Sequence, residues 1–145
     1  MKAKQLTPGP PSTHALIFER GDEAMEGLRA FTREQGITAA HLTGIGAFSD
    51  VTLGYFDWES KEYERIQLDE QVEVVTLAGD VALKDDEPDV HAHVVVAKRD
   101  GTAHGGHLIE AHVRPTLEVV IEEAPAHLRK RTDPESGLAL IDPEA

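Results

Sequence analysis

From residue 37 to residue 122 the chain runs in short apolar segments of strand character, parted by clusters of Gly, Pro, Asp and Ser. Segments 37–43, 51–58, 63–68, 72–83, 90–98, 102–113 and 116–122 read as strands. Between most of them lie turn signals: Gly44-Ile45-Gly46, residues 57–60, residues 85–88 and Arg99-Asp100-Gly101. Strands this close together leave no room for crossover helices, so neighbours must pair antiparallel. Residues 13–19 read as a further strand. Residues 22–35 read as the one main helix, because Ala24, Met25, Leu28 and Phe31 share a face and Gly36 sits where a left-handed C-cap belongs. Gly27 interrupts that helix, and close packing against a sheet would account for it. The expected class is α+β, a single domain with an antiparallel β-sheet and one main helix.

At 145 residues the chain is long enough for one domain with a real core. Residues 1–12 read as an N-terminal extended segment and 13–145 as the domain. Within it, 132–145 form a C-terminal tail whose apolar stretch, 138–141, suits an edge strand or a clasp on a neighbouring subunit. No apolar run is long enough to span a membrane and the N-terminus lacks a signal-like stretch, so the expected location is cytoplasmic. The absence of cysteine excludes disulfides and thiolate ligands and leaves His, Asp and Glu for any metal. A formal net charge of −13 opposes direct nucleic-acid binding. The one basic cluster, Arg129-Lys130-Arg131, reads as solvated surface.

Chemistry concentrates in Val90-His91-Ala92-His93 and Gly105-Gly106-His107. An i, i+2 pair puts His91 and His93 on one face of a strand. Which later histidine joins them depends on the intervening turn. A two-residue turn on Asp100-Gly101 would bring His104 to that face, opposite Ala97. A three-residue loop, Arg99-Asp100-Gly101, would set His107 opposite His93 and His104 opposite Val96. The second is preferred because Gly in third position suits the bulge, although Gly105-Gly106 marks a place where the register can shift again. Opposed residues have Cβ atoms about 5 Å apart, close enough to share an ion. Three imidazoles on zinc would leave one open position, whose bound water can ionise near neutral pH.

The same residues carry a resemblance. The segments Leu42-Thr43-Gly44-Ile45-Gly46-Ala47, residues 50–57 and Glu73-Val74-Val75-Thr76-Leu77-Ala78-Gly79-Asp80, with the two histidine motifs, resemble the PPC domain (plants and prokaryotes conserved domain) over roughly residues 13–123. The resemblance implies a PPC-like α+β fold and a homotrimer. In prokaryotic members it also implies a zinc ion, one per chain, held by the His-x-His pair and the histidine of Gly-Gly-His. Those positions are His91, His93 and His107. The chain departs from the plant proteins in having no Arg-Gly-Arg-Pro hook, so a DNA-binding role by analogy would rest on fold alone.

Other candidates carry less. Gly44-Ile45-Gly46 lacks the third glycine and the following helix of a dinucleotide fingerprint and reads as a tight turn against another backbone. Thr43, Ser49 and Tyr55 offer hydroxyls without a nucleophile elbow. Glu110 and Glu118 are candidates for a base near the metal. Under the preferred register Glu110 falls opposite Val90, on the face away from His91 and His93. Arg114 suits a surface role better than an anion site, and His14, His41, His112 and His127 suit structural or surface roles. The functional expectation is a metal-dependent protein that binds or acts on a small molecule, with no catalytic residue assigned. The alternative is a regulatory or scaffolding trimer with a structural metal.

Overall fold

A computed structural model describes residues 1–7 and 9–145; Pro8, in the expected lead-in, lies outside the described residues. In chain order the elements are β1 (Lys2–Thr7), β2 (Thr13–Glu19), α1 (Ala24–Gln35), β3 (Ala39–Asp57), β4 (Glu62–Leu68), β5 (Val72–Lys84), β6 (Glu87–Ala97), β7 (Ala103–Glu123), β8 (Arg129–Thr132) and β9 (Ala139–Asp142). Among the described residues no helix is long and apolar enough to cross a membrane.

The helix forms for the reasons its sequence supplies. Glu23 caps it by accepting the backbone N–H groups of Met25 and Glu26. The same carboxylate accepts the N–H of Ala111, which ties the helix start to β7. Gly36 ends the helix at φ 65°, in the left-handed conformation that spares it a Cβ clash. Ala24, Met25, Leu28 and Phe31 are buried against a core that includes Leu16, Phe18, Val90, Leu117 and Ile121.

All the strands join one sheet, ordered β1-β2-β7-β3-β5-β8-β9, with β4 beside β3 and β6 beside both β5 and β7. Strands β3, β5, β6 and β7 therefore close a ring of pairing. The extended lead-in is strand β1, which pairs along β2. The sheet is mixed and not purely antiparallel, because β8 meets β5 in a parallel bridge at Leu83 and Arg129. The tail beyond it forms the small β8–β9 hairpin.

Two expected breaks are not breaks. Segments 37–43 and 51–58 are halves of β3, and 102–113 and 116–122 are halves of β7. Gly44-Ile45-Gly46 is not a turn. The two strands pass through bulges where residues 46–53 of β3 meet residues 108–117 of β7, which keeps them paired while twisting them. The expected close approach to another backbone is present: a Cβ on Gly46 would lie 2.3 Å from the Thr116 carbonyl oxygen. Pro115 falls inside the same bulge, where its missing N–H interrupts no regular ladder.

Two hairpins set the registers that matter for function. Asp85 and Asp86 form a two-residue turn with φ of 51° and 63°, so Lys84 opposes Glu87 and, further along, Asp80 opposes His91. Between β6 and β7 the three-residue loop is the one observed. Gly101 has φ 82°, Lys98 and Thr102 are hydrogen bonded across its base, Val96 faces His104, and His93 faces His107.

Gly27 offers a test of packing against propensity. A Cβ there would lie 2.4 Å from Cε1 of Phe18, a fully buried ring that cannot retreat. Alanine should gain about 1 kcal/mol in helix propensity and lose about 1–3 kcal/mol to overpacking. Gly27→Ala should therefore lower stability by about 1 kcal/mol in a urea titration; a stabilised variant would contradict this packing.

Candidate metal centre

His91 and His93 alternate along β6 with the buried residues Val90, Ala92 and Val94, so both imidazoles leave the core on the same side. His107 reaches them from β7 through its pairing with His93. Gly106 makes that approach possible, since a Cβ on it would lie 2.7 Å from the Gly54 carbonyl oxygen on β3. The three rings stand with centroids 5.0, 5.2 and 5.6 Å apart, and one nitrogen of each lies within 4.8 Å of the others. An ion bound at about 2.1 Å holds tetrahedral nitrogen donors about 3.4 Å apart. Small ring rotations are enough to close the set.

The surroundings fit donors for a cation. His91 Nδ1 lies 3.3 Å from Asp80 Oδ2, so its N–H donates to that carboxylate and leaves Nε2 with a free lone pair. His107 is stacked between the Tyr63 ring, 4.8 Å away, and His91. Its Nδ1 is buried without any hydrogen-bond partner. Burial, with the neighbouring His91, His93 and Arg29 charges, pushes His107 down to about 4, and burial likewise lowers His93. Both rings are therefore neutral at pH 7, the form that donates to a metal. A buried nitrogen left unpaired is costly, and an ion at this point would satisfy it.

A cavity of about 360 Å³ adjoins His91 and His107. Arg29, Tyr63, Asp80, Asp89, Lys130 and the 138–141 segment of the tail contribute to its walls. Lys130 corrects the reading of the basic cluster as solvated surface. Its side chain is 3% exposed, with Nζ 2.9 Å from Asp89 and 3.5 Å from Asp80. Arg129 and Arg131 are likewise paired, with Asp86 at 2.7 Å and Asp142 at 3.1 Å. Burial pushes the Asp80 carboxyl up, but His91 and Lys130 together hold it below its ordinary value.

The remaining candidates lie elsewhere. His104 is across from Val96, outside the cluster. Glu110 does not face Val90, because β7 leaves β6 beyond His107 and follows β3; it pairs with Thr52, and its carboxylate lies 3.9 Å from Arg65. Glu118 and Thr43 line a separate hollow with Ile45. Ser49 donates to Asp50, which is bonded to His112 at 2.7 Å. His14 meets buried Ser12, His41 meets Glu122, and His127 meets Thr38. Tyr55 and Arg114 are exposed. Sequence reasoning missed the roles of Asp80, Tyr63, Arg29 and Lys130. Only Asp80 had a local signal: a two-residue turn at Asp85-Asp86 places it opposite His91.

The model of the Plants and Prokaryotes Conserved (PCC) domain matches residues 6–125. A candidate DNA-binding protein from Bacteroides thetaiotaomicron is 27% identical, with 99% of each chain covered and a TM-score of 0.91. A metal-containing protein from Archaeoglobus fulgidus is 35% identical over 89% of this chain and 91% of its own, with a TM-score of 0.83. A PPC protein from Pyrococcus horikoshii is 32% identical over 97% of this chain and 94% of its own, also at 0.83. The bifunctional protein GlmU of Synechococcus sp. (strain JA-3-3Ab) is 28% identical over 94% of this chain. The chain spans 21% of that protein's length.

Lys130→Met keeps the buried stem and removes the charge between Asp80 and Asp89. A fully buried broken pair costs about 3–5 kcal/mol; with both carboxylates partly exposed, about 1–3 kcal/mol is expected at pH 7. Asp80 is held below its ordinary value, so its stabilisation is present above that value and lost as pH falls through the lowered one. Denaturant titrations should show the difference from wild type shrinking between pH 7 and about pH 3. A gap that stays constant over that range would refute the assignment.

Proposed function

The chain belongs to the Plants and Prokaryotes Conserved domain family, and we propose that within it this protein holds zinc at His91, His93 and His107 and binds or acts on a small molecule in the adjoining cavity. The observation that carries this reading is the convergence of one nitrogen from each of three imidazoles, on a cluster in which His107 also keeps a buried Nδ1 without a partner. A donor set made only of nitrogen, with no cysteine in the chain, suits zinc with three protein ligands and one position left open. When bound, zinc supplies Lewis acidity at that position. The chain's own residues do the rest. Asp80 fixes the orientation of His91, Tyr63 and His91 hold the His107 ring between them, and the tail hairpin walls the cavity. The metal-containing relative from Archaeoglobus fulgidus supports the same reading.

The family resemblance also leads us to propose that the chain assembles as a homotrimer. Ile45 and Val75 are 61% and 55% exposed, and they line one hollow, while Ile45 and Ile17 line another. Adjacent apolar side chains of this size favour a covering surface. A scaffolding role, with the metal as a structural plug, would use the same strip. Direct nucleic-acid binding is disfavoured by the net charge and by the carboxylate partners of Arg129, Lys130 and Arg131.

Elemental analysis of protein purified without a metal-affinity tag should find about one zinc per chain. His93→Ala should lose it and His104→Ala should keep it. Wild-type protein free of metal would overturn the zinc reading. Sedimentation equilibrium should give the mass of a trimer for wild type and of smaller species for Ile45→Glu; a wild-type monomer would exclude the assembly.

A further inference from the structure

The charges around the cavity are not all accounted for by one another. Lys130 is buried and engaged with both Asp80 and Asp89. Arg29 lines the same cavity, and among the described residues it forms no ion pair. It sits one helical turn beyond Met25, at the border of the buried stripe of α1, so its backbone is fixed while its head remains accessible. Two carboxylates balance two cationic side chains, and a histidine that binds a metal does so as the neutral imidazole. A divalent ion on the histidines therefore leaves the cavity with an excess of positive charge. Part of the wall is apolar, from Val90, Leu138 and Leu140.

We propose that Arg29 is an anion-anchoring residue and that the ligand of this cavity is a small organic anion. Its carboxylate or phosphate pairs with the Arg29 guanidinium, and its body lies against the apolar wall, within reach of the histidine cluster. This rests on the metal reading above. Guanidinium is suited to the task because its planar fork matches a carboxylate or phosphate with two parallel hydrogen bonds. The cavity volume lies in the range of small-molecule sites. Arg29 adds no stabilising ion pair of its own, so the fold gives no other account of a cation at this place.

The test uses the full chain loaded with cobalt(II), whose visible spectrum reports on the ion's coordination. Malonate and inorganic phosphate are titrated separately at constant ionic strength into wild type, Arg29→Gln and Arg29→Lys. Glutamine keeps a good helix former at an exposed position, so folding is not at risk. Saturable spectral change is expected for at least one of the two anions. The apparent Kd should weaken at least tenfold in Arg29→Gln and recover in part in Arg29→Lys, with cobalt content unchanged in all three. The anion that binds more tightly identifies the head group. Equal affinity in wild type and Arg29→Gln, or no response to either anion at full cobalt content, would overturn the anchor and leave the metal site standing. Failure to take up cobalt would mean that the metal reading itself has failed, and the anchor with it.

Discussion

The registers of two consecutive hairpins determine the rest of the site. Strand β6 is paired on one side through a two-residue turn and on the other through a three-residue loop. The first sets Asp80 opposite His91, and the second sets His107 opposite His93. A slip of one residue in either would turn a whole strand's side chains to the other face, because the side-chain period is two. The first turn depends on two left-handed aspartates and the second on a left-handed glycine. The imidazoles meet because the backbone is over-determined there. The ring of pairing among β3, β5, β6 and β7 leaves the registers no freedom to relax.

Electrostatics then connects this rigid centre to the end of the chain. Lys130 enters the protein almost completely and ends between Asp80 and Asp89. Asp80 in turn accepts from His91. One buried ammonium therefore holds the carboxylate that orients an imidazole, and it also fixes β8, which begins the hairpin walling the cavity. A lysine this deep is tolerable only because both its partners are charged. Placement of the tail and orientation of His91 are consequently parts of one network.

The clustering of the three histidines was legible in the sequence, and the rest of the site was not. His91, His93 and His107 follow from strand alternation and from Gly101 in a three-residue loop, both local rules. The helix face and its Gly36 cap are equally local. The long bent strands were not legible, because Gly44-Ile45-Gly46 and Arg114-Pro115 carry turn chemistry while the tertiary structure uses them at bulges where β3 and β7 approach closely. The mixed character of the sheet rests on one parallel bridge between residues far apart in sequence. Lys130 and Arg29 were hidden for a similar reason. A basic residue in a charged run or on a helix border looks solvated until a distant element brings it a partner or a cavity.

The site divides between two parts of the chain. The histidines, Asp80 and Tyr63 all lie within the residues that match the family model, whereas Lys130 and the 138–141 wall lie beyond them. The three histidines therefore belong to the sheet within the family-matched residues, and their placement is fixed by paired backbone. The cover is a short hairpin, closed on itself by the Arg131–Asp142 pair and joined to the rest of the sheet by a single parallel bridge and the ion pairs of Arg129 and Lys130. Holding an ion needs atoms positioned to fractions of an ångström, which paired strands provide. Selecting a ligand needs a wall of suitable shape and charge, which the hairpin supplies through residues 138–141. That wall can vary only as far as Lys130 keeps its place between Asp80 and Asp89, because the same ammonium holds the carboxylate that orients His91.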